Sequence, residues 1–589
     1  MVNDDLFATI VKSKLAQRSI ANGGTGMSLS GEFEREPVAP QQLRPARNFA
    51  ASYAGEHVAG TEFVIGALFV AWGVSTLDIL YGLLLGNLLA VLTWGLVTAP
   101  IATDTRLTLY AYLERIAGPG MIKVYSVVNG VLFCILAGSM ITVSASAVRI
   151  LFDIPPQVNW YPTDISFVLV ALAVGAVVVA IAAKGFKRVA HFAEICSPWM
   201  ILMFLAGALA ILPVLVAAST GTDSIAGMSD FLAVADQQIW LGGSSDVGLW
   251  HVAAFAWVAN LAMHGSLGDL TLLRFARKPS YGYFSALGMF IGHFGAWVCA
   301  GIMGAGVALV LKTSIGQLDP GEVAYQSLGA AGIIAVIIAG WTTSNPTIYR
   351  AGLAFQSLNH NWHRTTVTIV AGIATTIIAC FPFVFTRLLG FVGIMGLMLA
   401  PVGAVIVTEH WIFPRIGLTR YWSHYKKNSI NAAAMATWLL SLGFALYLER
   451  SGALHLFFLL IPTWVFATVV YIALARLFGA RAKYAEAEEL ERAEVDRKRA
   501  ERAFLQQQPS AELKSAQGGR DLLLTLSRAV SLLALIACIV MAVQVYRGSS
   551  LEWFRTWLIV PTLIYFVSAT LWIGRKESAA ADTTQTTED

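Results

Sequence analysis

Charged residues are scarce in this chain of 589 residues: Asp, Glu, Lys and Arg together make up 13% of it, while 57% is hydrophobic. A soluble domain carries about 25% charged residues, so this composition excludes an ordinary soluble protein and indicates one that crosses a membrane many times. The formal net charge is only +4. Such a small excess of positive charge is better explained by basic residues in loops than by a nucleic-acid-binding surface. We therefore expect the lipid bilayer, and no nucleic acid, as a partner.

Cysteine is rare, and motifs for catalysis or metal binding are missing. The five cysteines fall inside apolar segments without zinc-site spacing, and they are Cys134, Cys196, Cys299, Cys380 and Cys538. We interpret them as small hydrophobic residues rather than a disulfide framework. The sequence shows no clustered His and carboxylate ligands, no nucleophile motif and no phosphate-binding loop, so we expect neither an enzyme nor an organic cofactor.

Apolar segments long enough to cross a bilayer, about 20 residues each, recur fourteen times. Their centres lie near Val70, Leu92, Leu136, Leu172, Phe204, Val258, Trp297, Ala339, Ala374, Met398, Leu439, Val465, Leu535 and Tyr565. Lys and Arg concentrate in alternate loops, and the longest loop of the opposite set, 219–248, has neither. By the positive-inside rule, this pattern predicts a multi-pass protein of the cytoplasmic membrane with both termini in the cytoplasm.

The same pattern divides the chain into segments. We expect a cytoplasmic tail, a ten-helix core, two further membrane helices, a charged helical linker, two extra membrane helices and a second tail, over residues 1–56, 57–415, 416–480, 481–521, 522–575 and 576–589. The linker pairs opposite charges at i,i+4, as in Glu488 with Arg492, which predicts a solvated cytoplasmic helix. The two extra spans are where we expect a homo-oligomer to form.

The sixth span starts as a membrane helix and is then interrupted. Trp257, Asn260 and His264 recur at spacings of three and four, so they share one face of a helix, and Gly265 and Gly268 follow. Polar groups in hydrocarbon normally face a cavity or a partner, and an interrupted helix frees backbone groups that can hold an ion or a substrate. We prefer this substrate-site interpretation to a polar face that neighbouring helices satisfy.

The first span is irregular as well, because Gly66, Gly73 and Asp78 interrupt an aliphatic run. Irregular first and sixth spans, five helices apart, are typical of two inverted five-helix repeats with a site at their interface. We therefore predict an all-α membrane protein whose ten-helix core has broken first and sixth helices, with about four additional C-terminal helices. For either glycine alone, close helix packing is the better explanation.

Two other spans carry side chains that suit a ligand. The eighth contains Thr342, Thr343, Ser344 and Asn345 in succession, and hydroxyl and carbonyl oxygens are the ligands that sodium prefers. Hydroxyl groups in membrane helices also bond their own backbone, which is the alternative for one or two of them. Phe133 of the third span offers a ring to a ligand or packs as a core residue.

Three segments carry a resemblance to a known family. WVANLAMHGSLGDLTLLRFARKP in the sixth span, WTTSNPTIYRAG in the eighth and GLMLAPVGAVIVTEHWI in the tenth are similar to motifs of the nucleobase–cation symporter family, which includes cytosine, hydantoin and allantoin permeases. The resemblance extends from about Gly60 to about Leu474. It implies a leucine-transporter-type fold and a secondary active transporter, or symporter, of a nucleobase or related planar heterocycle, driven by sodium or protons.

The resemblance also implies site residues. Trp257 corresponds to the family's substrate-stacking tryptophan and Asn345 to its substrate-binding asparagine. Around them we expect Phe133 on the other face of the ring, with Asn260 reading the polar groups of the substrate and His264 beside it.

For the coupling ion, the resemblance implies Thr342 and Thr343, or Thr343 and Ser344, as hydroxyl ligands of sodium. Backbone carbonyl groups near Val70 and Gly73 would complete that site.

Two alternatives stay open at this stage. If a proton is the coupling ion, His264 or Asp269 would carry it, while His293 in the seventh span is interpreted as a structural group. The alternative function is a membrane sensor with a transporter-like body that binds a ligand without coupled flux.

Overall fold

The structure is a computed structural model that describes residues 36–56, 59–184, 186–221, 224–243, 246–359, 361–382, 387–507 and 522–585. These residues are largely helical, and β-pairing among them is confined to isolated bridges that join Arg44 to Ala276 and Ser75 to Leu241. The chain is thus an all-α multi-pass membrane protein, as its composition predicts.

Eleven helices in the described ranges are long and apolar enough to cross a membrane: Thr76–Thr105, Pro119–Phe152, Ile165–Ala182, Glu194–Ala218, Pro279–Leu311, Ala330–Gln356, Leu388–Arg415, Ala432–Arg450, Leu460–Phe478, Leu522–Tyr546 and Leu551–Lys576. The other three of the fourteen predicted spans are bent or short. The first consists of Ala46–Gly55 and Gly60–Ala71, which meet at 50°. The sixth (Leu249–Val258) and the ninth (Arg364–Ala379) are shorter apolar helices.

The first span is broken, but not where the sequence suggested. Gly66 lies inside the continuous helix Gly60–Ala71, and Gly73 lies in the turn to the second span with φ of +64°. A Cβ at Gly66 would stand 2.4 Å from the carbonyl oxygen of Trp297, so this glycine permits close helix packing. The bend falls between Gly55 and Gly60, and our placement of the break farther along the chain was wrong.

The helix that precedes this bend belongs to the bundle rather than to a tail. Tyr53 is fully buried, and its hydroxyl donates to Oδ2 of Asp269 at 3.1 Å. The membrane core therefore starts near Ala46 and not at residue 57. Arg47 and Asn48 interrupt the apolar pattern of this segment, which is why the sequence did not reveal it as half of a span.

The predicted break in the sixth span is confirmed. The regular helix ends at Val258, and the chain continues in turns until the short helix Leu270–Leu273. Leu267 adopts φ of +65° within these turns, a left-handed conformation that is uncommon for a residue with a side chain. The tenth span packs directly on the break, since a Cβ at Gly403 would stand 1.9 Å from the carbonyl oxygen of Gly265.

The two halves of the core cross the bundle in opposite senses. The second and sixth spans end at one face, where Arg106 donates to the carbonyl oxygens of Arg274 and Ala276. We call this end of the bundle the N-terminal face. The first span ends at the other face, where Ser75 forms a bridge with Leu241 ahead of the sixth span. The first and sixth spans therefore run oppositely, which is the geometry of an inverted repeat.

The charged linker forms the helix Ala485–Gln507, as predicted, and most of its side chains are exposed, but one face of it contacts the bundle through the buried Glu501. It lies on the N-terminal face, where the two carboxylate oxygens of Glu501 accept hydrogen bonds from Arg106 at 2.5 and 3.0 Å. Lys498 pairs with Asp104 at 2.5 Å. The i,i+4 charges correctly predicted a helix, whereas these contacts join residues almost 400 positions apart and leave no local pattern in the sequence.

The two extra C-terminal spans, Leu522–Tyr546 and Leu551–Lys576, pack against each other and against the fifth span. The hydroxyl of Tyr565 donates to the carbonyl oxygen of Ile195 at 2.7 Å, in the fifth span. The extra helices thus extend the transmembrane bundle instead of forming a separate unit.

Candidate functional site

The three polar residues of the sixth span point to different neighbours. The indole N–H of Trp257 donates to the hydroxyl of Thr93 in the second span at 3.0 Å. Nδ2 of Asn260 lies 3.1 Å from Nε2 of His293 in the seventh span, and Nε2 of His264 lies 2.8 Å from the carbonyl oxygen of Trp257. The predicted common face does not form, because the regular helix ends before Asn260 and the later residues follow turns instead of the helical period.

Phe133 lines a cavity of about 10 Å³, which holds about one water molecule, together with Asn129 and Arg350. Phe133 belongs to an apolar cluster against which Trp257 also packs, and Trp257 borders the cluster that contains Leu261 as well. The pairing of these two rings around a ligand stays a prediction.

Asn345 is fully buried, and neither atom of its amide has a hydrogen-bond partner among the described residues. Trp341 and Ile348 precede and follow it by four and three residues, so they share its face of the helix. Both belong to the apolar cluster formed with the third and fourth spans. Asn345 therefore faces those spans, while Arg350, on another face, meets Asp269.

The hydroxyl groups of the eighth span lie close to the bend in the first. Thr342 and Thr343 donate to one backbone carbonyl group at 3.1 and 3.4 Å, and the hydroxyl of Ser344 is buried without a partner in the described part of the chain. A Cβ at Gly60 would stand 3.4 Å from the backbone nitrogen of Gly340. The second helix of the first span, Gly60–Ala71, thus begins beside the threonines.

Val70 and Gly73 lie at the far end of that half-helix. The carbonyl oxygen of Val70 accepts from the amide of Gly73 at 2.9 Å, and Val70 packs near Gly301. Ten helical residues, about 15 Å, separate Val70 from Gly60. The structure therefore does not bring these two carbonyl groups to the hydroxyls of the eighth span, and the misplaced break explains the difference.

Asp269 is buried, and both of its carboxylate oxygens have polar partners. Its Oδ2 accepts from the indole of Trp94 at 2.7 Å and from Tyr53, and its Oδ1 pairs with Arg350 at 3.2 Å. A cation and several donors stabilise the charged form of a carboxylate. This arrangement ties the first, second, sixth and eighth spans together, and it suits a structural ion pair better than a proton carrier.

Sequence reasoning missed a buried acid beside the first break. Glu62 is 1% exposed, and its Oε2 accepts from the indole of Trp297 at 2.8 Å. Its Oε1 lies 4.0 Å from Nε2 of His293, the same nitrogen that contacts Asn260. The irregularities that we noted in the first span begin at Gly66 and all lie after Glu62, so this residue was not singled out. The cluster Glu62–Trp297–His293–Asn260 joins the first, seventh and sixth spans.

Distorted helical turns position several of these side chains. His293 belongs to the π-helical segment Leu287–Ala296, and Trp94 starts another, Trp94–Thr98. Such turns redirect side chains relative to an α-helix and are frequent at functional sites. The His293 ring stacks on Trp297 with centroids 4.5 Å apart and planes 13° apart, which fixes its orientation.

Comparisons with known proteins place the fold. No family model matches the chain, and no curated protein matches it. Among solved structures it is similar to Mhp1, a nucleobase–cation-symport-1 family transporter, in a closed conformation with bromovinylhydantoin bound, with a TM-score of 0.57 and 12% identity over 77% of this chain and 98% of that chain.

Two further structures show the same likeness. The inward-facing conformation of Mhp1 gives a TM-score of 0.58 and 13% identity over 80% of this chain and 98% of that chain. A Na⁺-coupled sialic acid symporter in a substrate-bound outward-open state gives a TM-score of 0.54 and 15% identity over 78% of this chain and 94% of that chain. The resemblance inferred from the sequence is thus confirmed at the level of the fold: the chain has the leucine-transporter-type architecture of these symporters, with inverted repeats.

Proposed function

We propose that the chain is a secondary active transporter that moves a nucleobase or a related small planar heterocycle across the cytoplasmic membrane together with sodium or a proton. One observation carries this proposal: polar side chains from both broken spans, Asn260 and Glu62, converge on His293 inside the bundle. Polar groups beside interrupted helices are where transporters of this type hold substrate and ions. The basic loops of the N-terminal face assign that face to the cytoplasm.

For the substrate, we propose that Trp257 supplies the stacking surface and Asn260 a polar contact. The indole N–H of Trp257 is held by Thr93, so the ring has a defined orientation, and the side chain is only half-buried. Aromatic faces bind planar rings well. For sodium, we propose the hydroxyls of Thr342 and Thr343, because the second helix of the first span begins beside them.

Uptake into proteoliposomes tests the proposal. Radiolabelled cytosine, uracil, hydantoin and allantoin would each be offered under a sodium gradient, a proton gradient or neither. We expect ion-dependent uptake of one of them, lost in Trp257→Ala and kept in Trp257→Phe. Trp250→Ala is the matched control, since Trp250 lies in the same span and is 67% exposed.

Two results would contradict the proposal. Unchanged uptake in Trp257→Ala would remove the stacking role. Saturable binding of a probe without ion dependence and without flux would support the sensor instead.

A further inference from the structure

Glu62 differs from other buried carboxylates in the nature of its ionic neighbour. Asp269 pairs with Arg350 at 3.2 Å, and Asp319 pairs with Arg149 at 2.7 Å. Arginine stays charged under all ordinary conditions. Glu62 faces His293, whose charge depends on the proton it carries. Asp269 and Asp319 therefore have permanently charged counter-ions. The counter-ion of Glu62, by contrast, is charged only when His293 carries a second proton.

The same nitrogen of His293 faces two competing partners. Nε2 lies 3.1 Å from the amide nitrogen of Asn260 and 4.0 Å from Oε1 of Glu62. When the proton of the neutral ring is on Nδ1, Nε2 accepts a hydrogen bond from Asn260. When both ring nitrogens are protonated, Nε2 can only donate, so its contact with the NH₂ group of Asn260 is lost and Glu62 becomes its natural acceptor.

We propose that Glu62 and His293 together bind the coupling proton, and that this proton decides whether Asn260 holds the break of the sixth span to the seventh span. The inference rests on the proposed transport function and identifies its coupling ion. In the cycle, a proton enters from the outer side onto Nε2 of His293, whose ring stays stacked on Trp297. The contact of Nε2 with Asn260 is then replaced by one with Glu62. The imidazolium passes this proton to the Glu62 carboxylate, and release to the cytoplasm restores the first arrangement. One positive charge thus crosses with each substrate molecule.

The chemistry of the cluster favours a proton over a metal ion. Oε2 of Glu62 accepts a hydrogen bond from the indole N–H of Trp297, a group that cannot ligate a cation. Hard cations require about six oxygen ligands. Within the described residues, no group of three or more His, Cys, Asp and Glu side chains is arranged to hold a metal.

The described neighbours of Glu62 on the third and fifth spans are apolar. From the fifth span Phe204 stacks on Phe63, next to Glu62, with ring centroids 4.3 Å apart. The third span brings Val143 against Gly60, and on its own helix Glu62 has Thr61 and the backbone of Ala59 as polar neighbours.

The ionisable groups of adjacent helices are engaged elsewhere. Asp269 is bound to Arg350, and Nε2 of His264 contacts the Trp257 carbonyl group.

Infrared spectroscopy on the purified full-length protein tests the proton site without any substrate. In a pH titration, a buried carboxylic acid gives a C=O stretching band that an ionised carboxylate lacks. Glu409 is buried as well and can contribute a band of its own. We therefore expect one component of the wild-type spectrum to be lost in Glu62→Gln and displaced along the pH axis in His293→Gln. The matched control is Glu194→Gln, because Glu194 is 39% exposed and paired with Lys576. A carboxylic-acid spectrum of Glu62→Gln that coincides with that of the wild type, in a protein with wild-type thermal stability, would overturn the assignment.

A second measurement separates failure of this inference from failure of the transport proposal. Proteoliposomes that contain a pH-sensitive dye would be mixed with cytosine, uracil, hydantoin or allantoin. We expect a probe to drive proton entry in the wild type, no proton entry in Glu62→Gln with binding retained, and proton binding without coupled entry in Asn260→Ala. Sodium-driven uptake that survives in Glu62→Gln would refute the proton site and leave the transporter intact. If no probe moves, the transport proposal fails and the infrared titration alone decides the proton site.

Discussion

The N-terminal face and the centre of the bundle bury charge in different ways. At the N-terminal face, Arg106 meets Glu501 at 2.5 Å and also donates to two carbonyl groups of the sixth span. At the centre, Glu62 meets His293 at 4.0 Å. The first contact is short, bidentate and permanently charged, whereas the second is longer and depends on a proton.

This difference separates structural charges from functional ones. A buried ion pair loses much of its Coulombic gain to desolvation, but removal of one partner leaves an uncompensated charge, so the intact pair fixes the arrangement of the helices it joins. Binding of a proton to a buried group shifts the balance between two conformations when it is stronger in one of them. The N-terminal face therefore keeps the spans in register, and the centre is where the conformation can respond to a ligand.

The largest effect is expected from Arg106→Met. The change leaves Glu501 with Arg497, at 3.2 Å, as its remaining basic neighbour and removes the donor from the carbonyl groups of the sixth span. Loss of one partner of a buried pair costs about 3 kcal/mol. We expect a clear drop in melting temperature and faster tryptic cleavage of the helix Ala485–Gln507.

The control for this variant is Arg492→Met, which lies in the helix Ala485–Gln507 itself. Arg492 pairs with Glu488 at 3.5 Å, and both side chains are 78% exposed. Exposed pairs contribute about 0–1 kcal/mol, so the melting temperature should hardly change. Equal effects of the two substitutions would show that the linker helix does not dock through Arg106.

A smaller loss of thermal stability should distinguish Asp269→Asn from Glu62→Gln, two substitutions of a carboxyl group by an amide. Asp269→Asn removes the counter-ion of Arg350 while keeping the shape of the side chain, which should cost about 2 kcal/mol. Glu62→Gln resembles the protonated acid and should leave the melting temperature close to that of the wild type. If thermal unfolding shows the reverse order, then Glu62, and not Asp269, carries the permanent charge. Asp496→Asn, in an exposed pair with Arg499, serves as the control.

The last comparison concerns the packing of the broken sixth span. Gly403→Ala would place a Cβ 1.9 Å from the carbonyl oxygen of Gly265 and push the tenth span off the break, at a cost of about 1–3 kcal/mol. Gly443→Ala, in the helix Ala432–Arg450 with no atom within 4 Å, should instead stabilise the protein by up to about 1 kcal/mol. Thermal unfolding should show a lower melting temperature for Gly403→Ala and a higher one for Gly443→Ala. A stabilised Gly403→Ala would mean that the tenth span does not pack on the break.

The membrane architecture could be predicted from the sequence because it depends on local composition. Each of the fourteen predicted spans corresponds to a helix or a bent helix pair, and the break after Val258 falls in the glycine-rich stretch of the sixth span. The polar segment before Gly60 was missed because Arg47 and Asn48 interrupt its apolar pattern, although tertiary packing buries Tyr53 of the same helix. Hydropathy thus located complete spans and failed for half of a broken one.

The candidate site was less predictable, because a side chain's partners depend on how the helices pack. Trp257, Asn260 and His264 were assigned to one helical face, but the helix ends too early for that face to form. Glu62 and His293 are 231 positions apart, and no spacing rule connects them.

By itself, the sequence predicted that this protein crosses the membrane many times, that its first and sixth spans are irregular, and that it resembles a symporter family. These properties follow from apolar length, glycine placement and short motifs, all of which are local. Only the tertiary structure decided which buried acid has a permanent counter-ion, where the linker helix docks and which groups compete for His293. Those outcomes depend on distances between helices, and burial makes them energetically decisive because unmatched charges are costly away from water.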